Sequence, residues 1–231
     1  MKINLINKKT KLTLDSDGAY IEKFSYDKKD IFFPKFEIEI KGKKKTRGGS
    51  HPCLPSFGPS EINDLKDHGY GRDSEWEVIE QTDDKVILSL KGRCGYEGME
   101  SFITYELGEN GLFAEIKMAN ESDKDLPVAP GFHPYFKVGD DFKVDGLDFG
   151  DFNLEDTYFL DAREVSFKGK DYKINIVSDN FHKFAIWTDF LDNYRCVEPC
   201  YNGKSFVKDG KPYILEAGET FRASMDIKIE G

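Results

Sequence analysis

Alternation of apolar and polar side chains recurs along this chain, in short runs separated by turn-forming residues. The run FEIEIKGKK at 36–44 places Phe36, Ile38 and Ile40 on one face of an extended chain, and AYIEKFSY at 19–26 alternates in the same way. A period of two is typical of half-buried strands. The sequence therefore predicts an all-β fold, a large antiparallel β-sandwich, with residues 1–231 forming one domain.

Two segments predict specific local structure. Asn110–Gly111, in GENG at 108–111, stands between two alternating runs and predicts a β-hairpin. In SEINDLKDHG, at 60–69, Ser60 is a suitable helix N-cap and Asn63 stands where a capping-box Glu would be preferred, so a short helix is the expectation there.

Composition and charge narrow the class of partner. The 231 residues are 39% hydrophobic and 14% aromatic, which suits a strand-rich globular protein. The formal charge of −10, from 33 basic and 43 acidic residues, argues against nucleic acid as a partner, because non-specific binding to it needs a basic surface. An anionic small substrate stays open, since a few local arginines can outweigh the global charge.

The cysteines and the N-terminal segment predict the compartment. Cys53, Cys94, Cys196 and Cys200 form no CxxC pair and have no second ligand cluster, so we expect no zinc site. Residues 1–10 lack an apolar stretch, and no later run is long enough to cross a membrane. We therefore expect four reduced thiols in a cytoplasmic protein without a membrane partner.

One histidine, His133, lies in the aromatic stretch VAPGFHPYFKVGD at 128–140. Pro134 disfavours helical backbone at His133, and Phe132, Tyr135 and Phe136 can enclose its imidazole in a partly dry pocket. Such a histidine could give a proton to a small polar ligand. The alternative is a core histidine with both nitrogens satisfied.

A long segment without periodicity, residues 47–78, carries further candidates. Arg47 and Arg72 lie beside glycines, where guanidinium groups suit bidentate recognition of a carboxylate or phosphate, although surface ion pairs are the commoner fate of arginine. His68 precedes Gly69, so the backbone there can approach a ligand closely. A long loop of this kind in a compact domain is usually functional or disordered, and its aromatic residues argue against disorder.

An acidic residue and two aromatic residues complete the set of candidates. Glu198, in CVEPCYNG, would have a raised pKa if buried and would then suit a general base, whereas the alternative is a surface carboxylate at a strand edge. Tyr135 and Trp187 could stack on a sugar face or simply fill the core. The nucleotide fingerprints GxGxxG and GxxxxGK[ST] do not occur.

Four motifs together resemble the aldose 1-epimerase family, also called galactose mutarotase-like proteins. They are RGGSHPCLPSFGP, HGYGRDSEWEV, GFHPYFKVGD and CVEP, which follow one another from residue 47 to about 200. The RGG and HGYGR forms resemble the glucose-6-phosphate 1-epimerase branch more than the free-galactose branch. His51 departs from that branch, which usually has an apolar residue there, and the chain is short for the family.

The resemblance implies an isomerase that interconverts α and β anomers. Glu198 would take the proton of the C1 hydroxyl while His133 gives one to the ring oxygen. His68 would hydrogen-bond the ring or a hydroxyl and stabilise charge on oxygen. After rotation about C1–C2, closure on the other face of the carbonyl reverses the proton transfers.

Substrate contacts are also implied by the resemblance. Arg47 and Arg72 would bind the phosphate of a sugar phosphate, and Asp189 a sugar hydroxyl. The partner is therefore a sugar or sugar phosphate, and the reaction needs no cofactor and no metal. Two alternatives remain open: a carbohydrate-binding domain of this fold without catalysis, and another isomerase or a lyase that uses the same acid–base pair.

Overall fold

A computed structural model describes residues 1–207 and 210–230, and strands dominate this part of the chain. Two 3₁₀ turns, Gly71–Asp73 and Leu154–Asp156, are its helical elements. In chain order the strands are β1 Lys2–Asn7, β2 Thr10–Asp15, β3 Tyr20–Tyr26, β4 Lys29–Asp30, β5 Phe36–Ile40, β6 Lys43–Arg47, β7 Pro52–Cys53, β8 Glu77–Gln81, β9 Lys85–Lys91, β10 Met99–Gly108, β11 Gly111–Asn120, β12 Leu126–Val128, β13 Gly131–Phe132, β14 Tyr135–Lys137, β15 Tyr158–Asp161, β16 Glu164–Lys168, β17 Lys173–Asp179, β18 Lys183–Trp187, β19 Tyr194–Cys200, β20 Tyr213–Leu215 and β21 Thr220–Glu230.

The strands form three larger antiparallel sheets around a shared core. One sheet has seven strands in the order β16-β17-β21-β11-β10-β9-β8, and a second has the order β15-β18-β19-β13-β7, with β14 also paired to β19. The N-terminal strands β1–β4 form the third. Leu12, Ile116 and Val197, one from each sheet, belong to the same buried apolar cluster. The predicted antiparallel β-sandwich is confirmed.

The hairpin predicted near Asn110 is confirmed, but its register differs from the turn signal. β10 and β11 are joined through Glu109 and Asn110, and Gly108 pairs with Gly111. Gly111 therefore begins the return strand instead of completing the turn. A Cβ atom at Gly111 would lie 2.1 Å from the carbonyl oxygen of Ile227 on β21, so glycine is needed there for close strand approach.

The helix predicted within residues 60–69 is wrong. Ser60 and Asn63 do interact, but as a local turn in which the Asn63 N–H donates to Ser60 Oγ at 3.3 Å. Leu65 is buried while Ile62 is 58% exposed, so the segment has no apolar stripe to hold a helix against the core. The capping residues therefore stabilise a loop.

A separate two-stranded sheet, β5 with β6, forms the basic hairpin, residues 36–47. All four cysteines are free, and only Cys94 among them is exposed. Within residues 1–207 and 210–230, no helix has the length and apolar character needed to cross a membrane.

Candidate active site

Glu198 lies on β19, on the face that turns away from the sandwich core. Because side chains alternate along a strand, Val197 joins the core while Glu198 lines a cavity of about 740 Å³. The Glu198 side chain is only 3% exposed. Burial, with a smaller effect of the negative charge of Asp67, raises the pKa of Glu198 well above its ordinary value. Glu198 is thus not the surface carboxylate of the alternative interpretation.

His133 faces Glu198 from the break between β13 and β14. Its Nε2 lies 3.6 Å from Glu198 Oε2, and its ring stacks on Tyr135 with centroids 4.7 Å apart. The backbone N–H of His133 donates to the carbonyl of His51 at 3.0 Å. Nδ1 is buried without a hydrogen-bond partner among the described residues, so His133 is not a core histidine with both nitrogens satisfied.

His68 enters the cavity from the long loop. Its Nδ1 lies 2.6 Å from the carbonyl oxygen of Phe57, which assigns the N–H to Nδ1 and leaves Nε2 as the acceptor in the neutral ring. The backbone has φ +67° at His68 and +68° at Gly69. A Cβ atom at Gly69 would lie 2.1 Å from the carbonyl oxygen of Leu54, so glycine allows the loop to approach the chain at Leu54 closely.

A third histidine, His51, lines the same cavity and was not assigned a role from the sequence. Its ring centroid lies 4.9 Å from that of His133 and 5.6 Å from that of His68, and the His68 and His133 rings are 5.1 Å apart. His51 had appeared only as a departure from a family motif. The contact between its carbonyl and the His133 N–H is long-range, so spacing in the sequence gave no signal for it.

The three imidazoles are all held toward their neutral forms. Burial, then the positive charges of His51, His68 and Arg72, lowers the pKa of His133 well below its ordinary value. Burial and Arg72 likewise lower the pKa values of His51 and His68, although Asp67 partly opposes this for His68. Three imidazoles in mutual contact cannot readily all become charged.

Arg47 and Asp189 interact with each other. Arg47 Nε donates to Asp189 Oδ2 at 2.7 Å, and its guanidinium lies over the Trp187 ring at 5.4 Å. The other carboxylate oxygen of Asp189 accepts a hydrogen bond from the Tyr194 hydroxyl. Asp189 is therefore engaged by protein groups and is not among the described residues that line the cavity.

Arg72, in the first 3₁₀ turn, lines the cavity and is half-buried. Tyr135 and Trp187 also line it, and the Trp187 indole donates to the Glu155 carbonyl at 3.2 Å. Trp76, an aromatic residue of the long segment 47–78, is buried in the core. His182 is exposed just before β18.

The structure thus brings most of the candidate residues to one cavity. The residues predicted from the sequence that line it are His68, His133, Glu198, Arg47, Arg72, Tyr135 and Trp187. Lysines at 43–45 on the basic hairpin also line it, and sequence reasoning did not single them out. The sequence feature that could have identified them is a run of basic residues in a chain whose net charge is negative.

A metal ion could be held by His133, Cys196 and Glu198, whose ligand atoms all lie within 4.8 Å of one another. The cysteine spacing gave no hint of this group, because two of its members lie on β19 and the third is distant in sequence. Binding would require the Cys196 thiolate, and burial raises the pKa of this thiol well above its ordinary value. The donor set therefore suits a metal poorly, and the His133–Glu198 pair is better suited to proton transfer.

Comparison with known proteins bears on the family and the fold of this chain. A family model described as aldose 1-epimerase matches residues 3–164. A protein of Escherichia coli (strain K12) named "Putative glucose-6-phosphate 1-epimerase" is 28% identical over 151 residues, covering 62% of this chain and 46% of the relative. A protein of the same name from Salmonella typhimurium matches equally well. The chain therefore spans about half the length of the curated relatives it matches.

Solved structures share the fold. A galactose mutarotase related enzyme from Lactobacillus acidophilus superposes with a TM-score of 0.83 at 18% identity, covering 100% of this chain and 98% of the other. A galactose mutarotase-like protein from Lactobacillus casei gives a TM-score of 0.79 at 18% identity, with full coverage of both chains. At this identity the likeness concerns the architecture alone.

Proposed function

Because this chain belongs to the aldose 1-epimerase family, we propose that it is a cofactor-free enzyme that interconverts the α and β anomers of an aldose or hexose 6-phosphate. Family membership supports an epimerase-like enzyme, and the contacts of His133 and Glu198 support this specific reaction. The single observation that carries the proposal is the 3.6 Å separation of His133 Nε2 and Glu198 Oε2 inside the cavity.

This separation suits a reaction at one carbon. Ring opening removes a proton from the hydroxyl on C1 and adds a proton to the ring oxygen, and both oxygens are bonded to C1. An acid and a base that serve both oxygens must therefore lie within a few ångströms of each other. Glu198 lies on β19, and His133 lies between β13 and β14, which both pair with β19, so the sheet keeps this distance.

The proton count of the pair is consistent with this chemistry. In ring opening Glu198 takes the C1 hydroxyl proton, the bond from C1 to the ring oxygen breaks, C1 becomes a carbonyl, and His133 protonates the ring oxygen. The pair thereby passes from Glu198 carboxylate with protonated His133 to protonated Glu198 with neutral His133. Both forms carry one proton in total. Burial favours the neutral form of each group, so ring opening returns the pair to the protonation that the cavity prefers.

His68 and the arginines are proposed to bind the sugar. In the neutral His68 ring, Nδ1–H donates a hydrogen bond to the Phe57 carbonyl. Nε2 can therefore accept a hydrogen bond from a sugar hydroxyl. Arg72 and Arg47 line the cavity and can donate to sugar oxygens, and the names of the curated relatives support a phosphorylated substrate. Because Asp189 already accepts from Arg47, we assign it to orientation of that guanidinium and not to direct contact with a sugar hydroxyl. Tyr135 and Trp187 offer ring faces to the sugar.

Anomer exchange measured by NMR tests the proposal. The C1 proton of one anomer is saturated and transfer to the other is followed, with glucose, galactose and glucose 6-phosphate in parallel. We expect enzymatic exchange with at least one of them, and loss of it in His133→Ala but not in His182→Ala. Sugar binding in calorimetry without exchange would instead identify a non-catalytic carbohydrate-binding domain.

A further inference from the structure

The cavity has a charge balance opposite to that of the chain as a whole. Among the described residues, six cationic and four acidic side chains line it, although the chain carries 33 basic and 43 acidic residues. Three of those cations are consecutive: Lys43, Lys44 and Lys45 on β6 of the basic hairpin. A protein with net charge −10 has concentrated positive charge at one cavity.

The register of the hairpin directs two of these lysines toward the cavity. Phe36 pairs with Arg47, Ile38 with Lys45 and Ile40 with Lys43, so all three basic residues share a face. Arg47 lies against Trp187 at the cavity wall, which identifies this as the inner face. At ~3.3 Å per residue the row from Arg47 to Lys43 is about 13 Å long.

The lysines of this row lack the partners that neutralise the neighbouring cations. Arg47 is paired with Asp189 and Lys35 with Glu22 at 3.2 Å. Within the described part of the chain, no salt bridge is formed by Lys43 or Lys45, whose cross-strand neighbours are isoleucines. Their positive charge is therefore available to a ligand.

We propose that Lys43 and Lys45 form a phosphoryl-binding site that selects sugars carrying a phosphoryl group. The sugar part of this ligand rests on the proposed function. A phosphoryl group carries a charge of about −1.5 to −2 near pH 7 and three acceptor oxygens, so several ammonium groups suit it. A carboxylate, with one charge and a planar fork, is better served by a single arginine.

The test uses ligands that cannot react. The compounds 1,5-anhydroglucitol 6-phosphate and 1,5-anhydroglucitol both lack the anomeric hydroxyl and differ only in the phosphoryl group. Calorimetry compares the wild-type protein with a double variant of the basic hairpin, Lys43→Gln, Lys45→Gln. The matched control carries Lys9→Gln, Lys11→Gln, the same charge change on the exposed β1–β2 hairpin.

We expect the hairpin variant to bind the phosphorylated ligand about tenfold or more weakly and the neutral ligand unchanged. The control should bind both within about twofold of wild type, because its lysines do not line the cavity and their exposed charges are screened by salt. Equal losses for both ligands in the hairpin variant, or an equal loss in the control, would overturn the proposal. Circular dichroism confirms that each variant is folded.

Failure of the proposed function has a different signature. If wild-type protein exchanges no sugar but still binds the phosphorylated ligand through the lysines, the epimerase proposal fails and the phosphoryl site stands. If it exchanges glucose and glucose 6-phosphate with equal kcat/KM, and the hairpin variant does the same, the epimerase proposal stands and the phosphoryl site is refuted.

Discussion

At the scale of single residues, the cavity alters the acid–base behaviour of its side chains through burial and mutual contact. His51, His68 and His133 have lowered pKa values because desolvation and neighbouring positive charge oppose protonation. Glu198 has a raised pKa because desolvation opposes ionisation. These shifts link the stability of the fold to pH, and the direction differs between the histidines and the glutamate.

The histidines predict a loss of stability in mild acid. Below pH ~6.5 the unfolded chain gains protons that the folded cavity resists, so protonation favours unfolding. The free energy of unfolding should fall as pH drops from 7 to 5, and His51→Gln should reduce this slope by up to about 1.4 kcal/mol per pH unit. Urea denaturation at several pH values measures it. His182→Gln is the comparison: partial burial and Arg163 also lower the pKa of His182, but less than that of His51, so its effect on the slope should be smaller. Identical slopes in His51→Gln and wild type would contradict the prediction.

Glu198 predicts the opposite dependence. A carboxyl group with a raised pKa stabilises the fold below its unfolded pKa, and that stability is lost as pH rises through the folded pKa. Glu198→Gln removes the ionisation, so its free energy of unfolding at pH 8 should equal or exceed that of wild type. Its anomer exchange should fall by ~10²–10⁴-fold, the usual contribution of one acid–base group. An active or strongly destabilised variant would count against the assignment of Glu198.

Sequence reasoning found the residues that stand in short distinctive contexts and missed those defined by tertiary contact. His133, beside Pro134 and aromatic residues, and Glu198, before Pro199, could be singled out from their neighbours along the chain. His51 could not, because it contacts His133 through a pairing between residues 82 positions apart. The link between Arg47 and Asp189 likewise joins residues 142 positions apart.

At the scale of elements, alternation located most strands but did not fix their register. The Asn110–Gly111 signal predicted a hairpin, yet the turn is formed by Glu109 and Asn110 because Gly111 is required beside β21. The partner of β11 in that contact, β21, comes more than 100 residues later. A turn rule that considers only local sequence cannot include a constraint from so distant a strand.

This constraint predicts a contrast between two glycines of the hairpin. Gly111→Ala would place a Cβ atom 2.1 Å from the Ile227 carbonyl oxygen, so the strands must separate. We expect a loss of about 1–3 kcal/mol of unfolding free energy, measured by urea denaturation. Gly108→Ala is the matched control, since its nearest contacts would be 3.9 Å away. Similar losses in both variants would show that the Ile227 contact is not responsible.

At the scale of the whole molecule, the apolar core is continuous across the three larger sheets. Leu12 of the N-terminal sheet, Ile116 of the seven-stranded sheet and Val197 of the six-stranded sheet belong to one buried cluster. The amino-acid pattern predicted the fold class, whereas the pairing of strands distant in sequence depends on that shared core. We propose that residues 1–231 constitute a single domain.

A single domain predicts cooperative unfolding. Because removing any one sheet would expose the faces of the others, we expect one calorimetric transition, with equal calorimetric and van't Hoff enthalpies. Differential scanning calorimetry measures both. The Gly111→Ala variant should shift the whole transition to lower temperature, and a variant that moves only part of the heat absorption would indicate two folding units.

The basic hairpin forms a two-stranded sheet of its own, whereas His133 and Glu198 are carried by the six-stranded sheet and its partner β14. Substitutions at Lys43 and Lys45, which pair with β5 and not with those strands, can therefore accumulate without altering the strands that position the acid–base pair. Natural drift, or a laboratory library confined to those two positions, could change the preference for a phosphoryl group while the reaction itself is kept. With the phosphoryl site proposed above, the selectivity for a substrate and the chemistry of the reaction can therefore evolve independently.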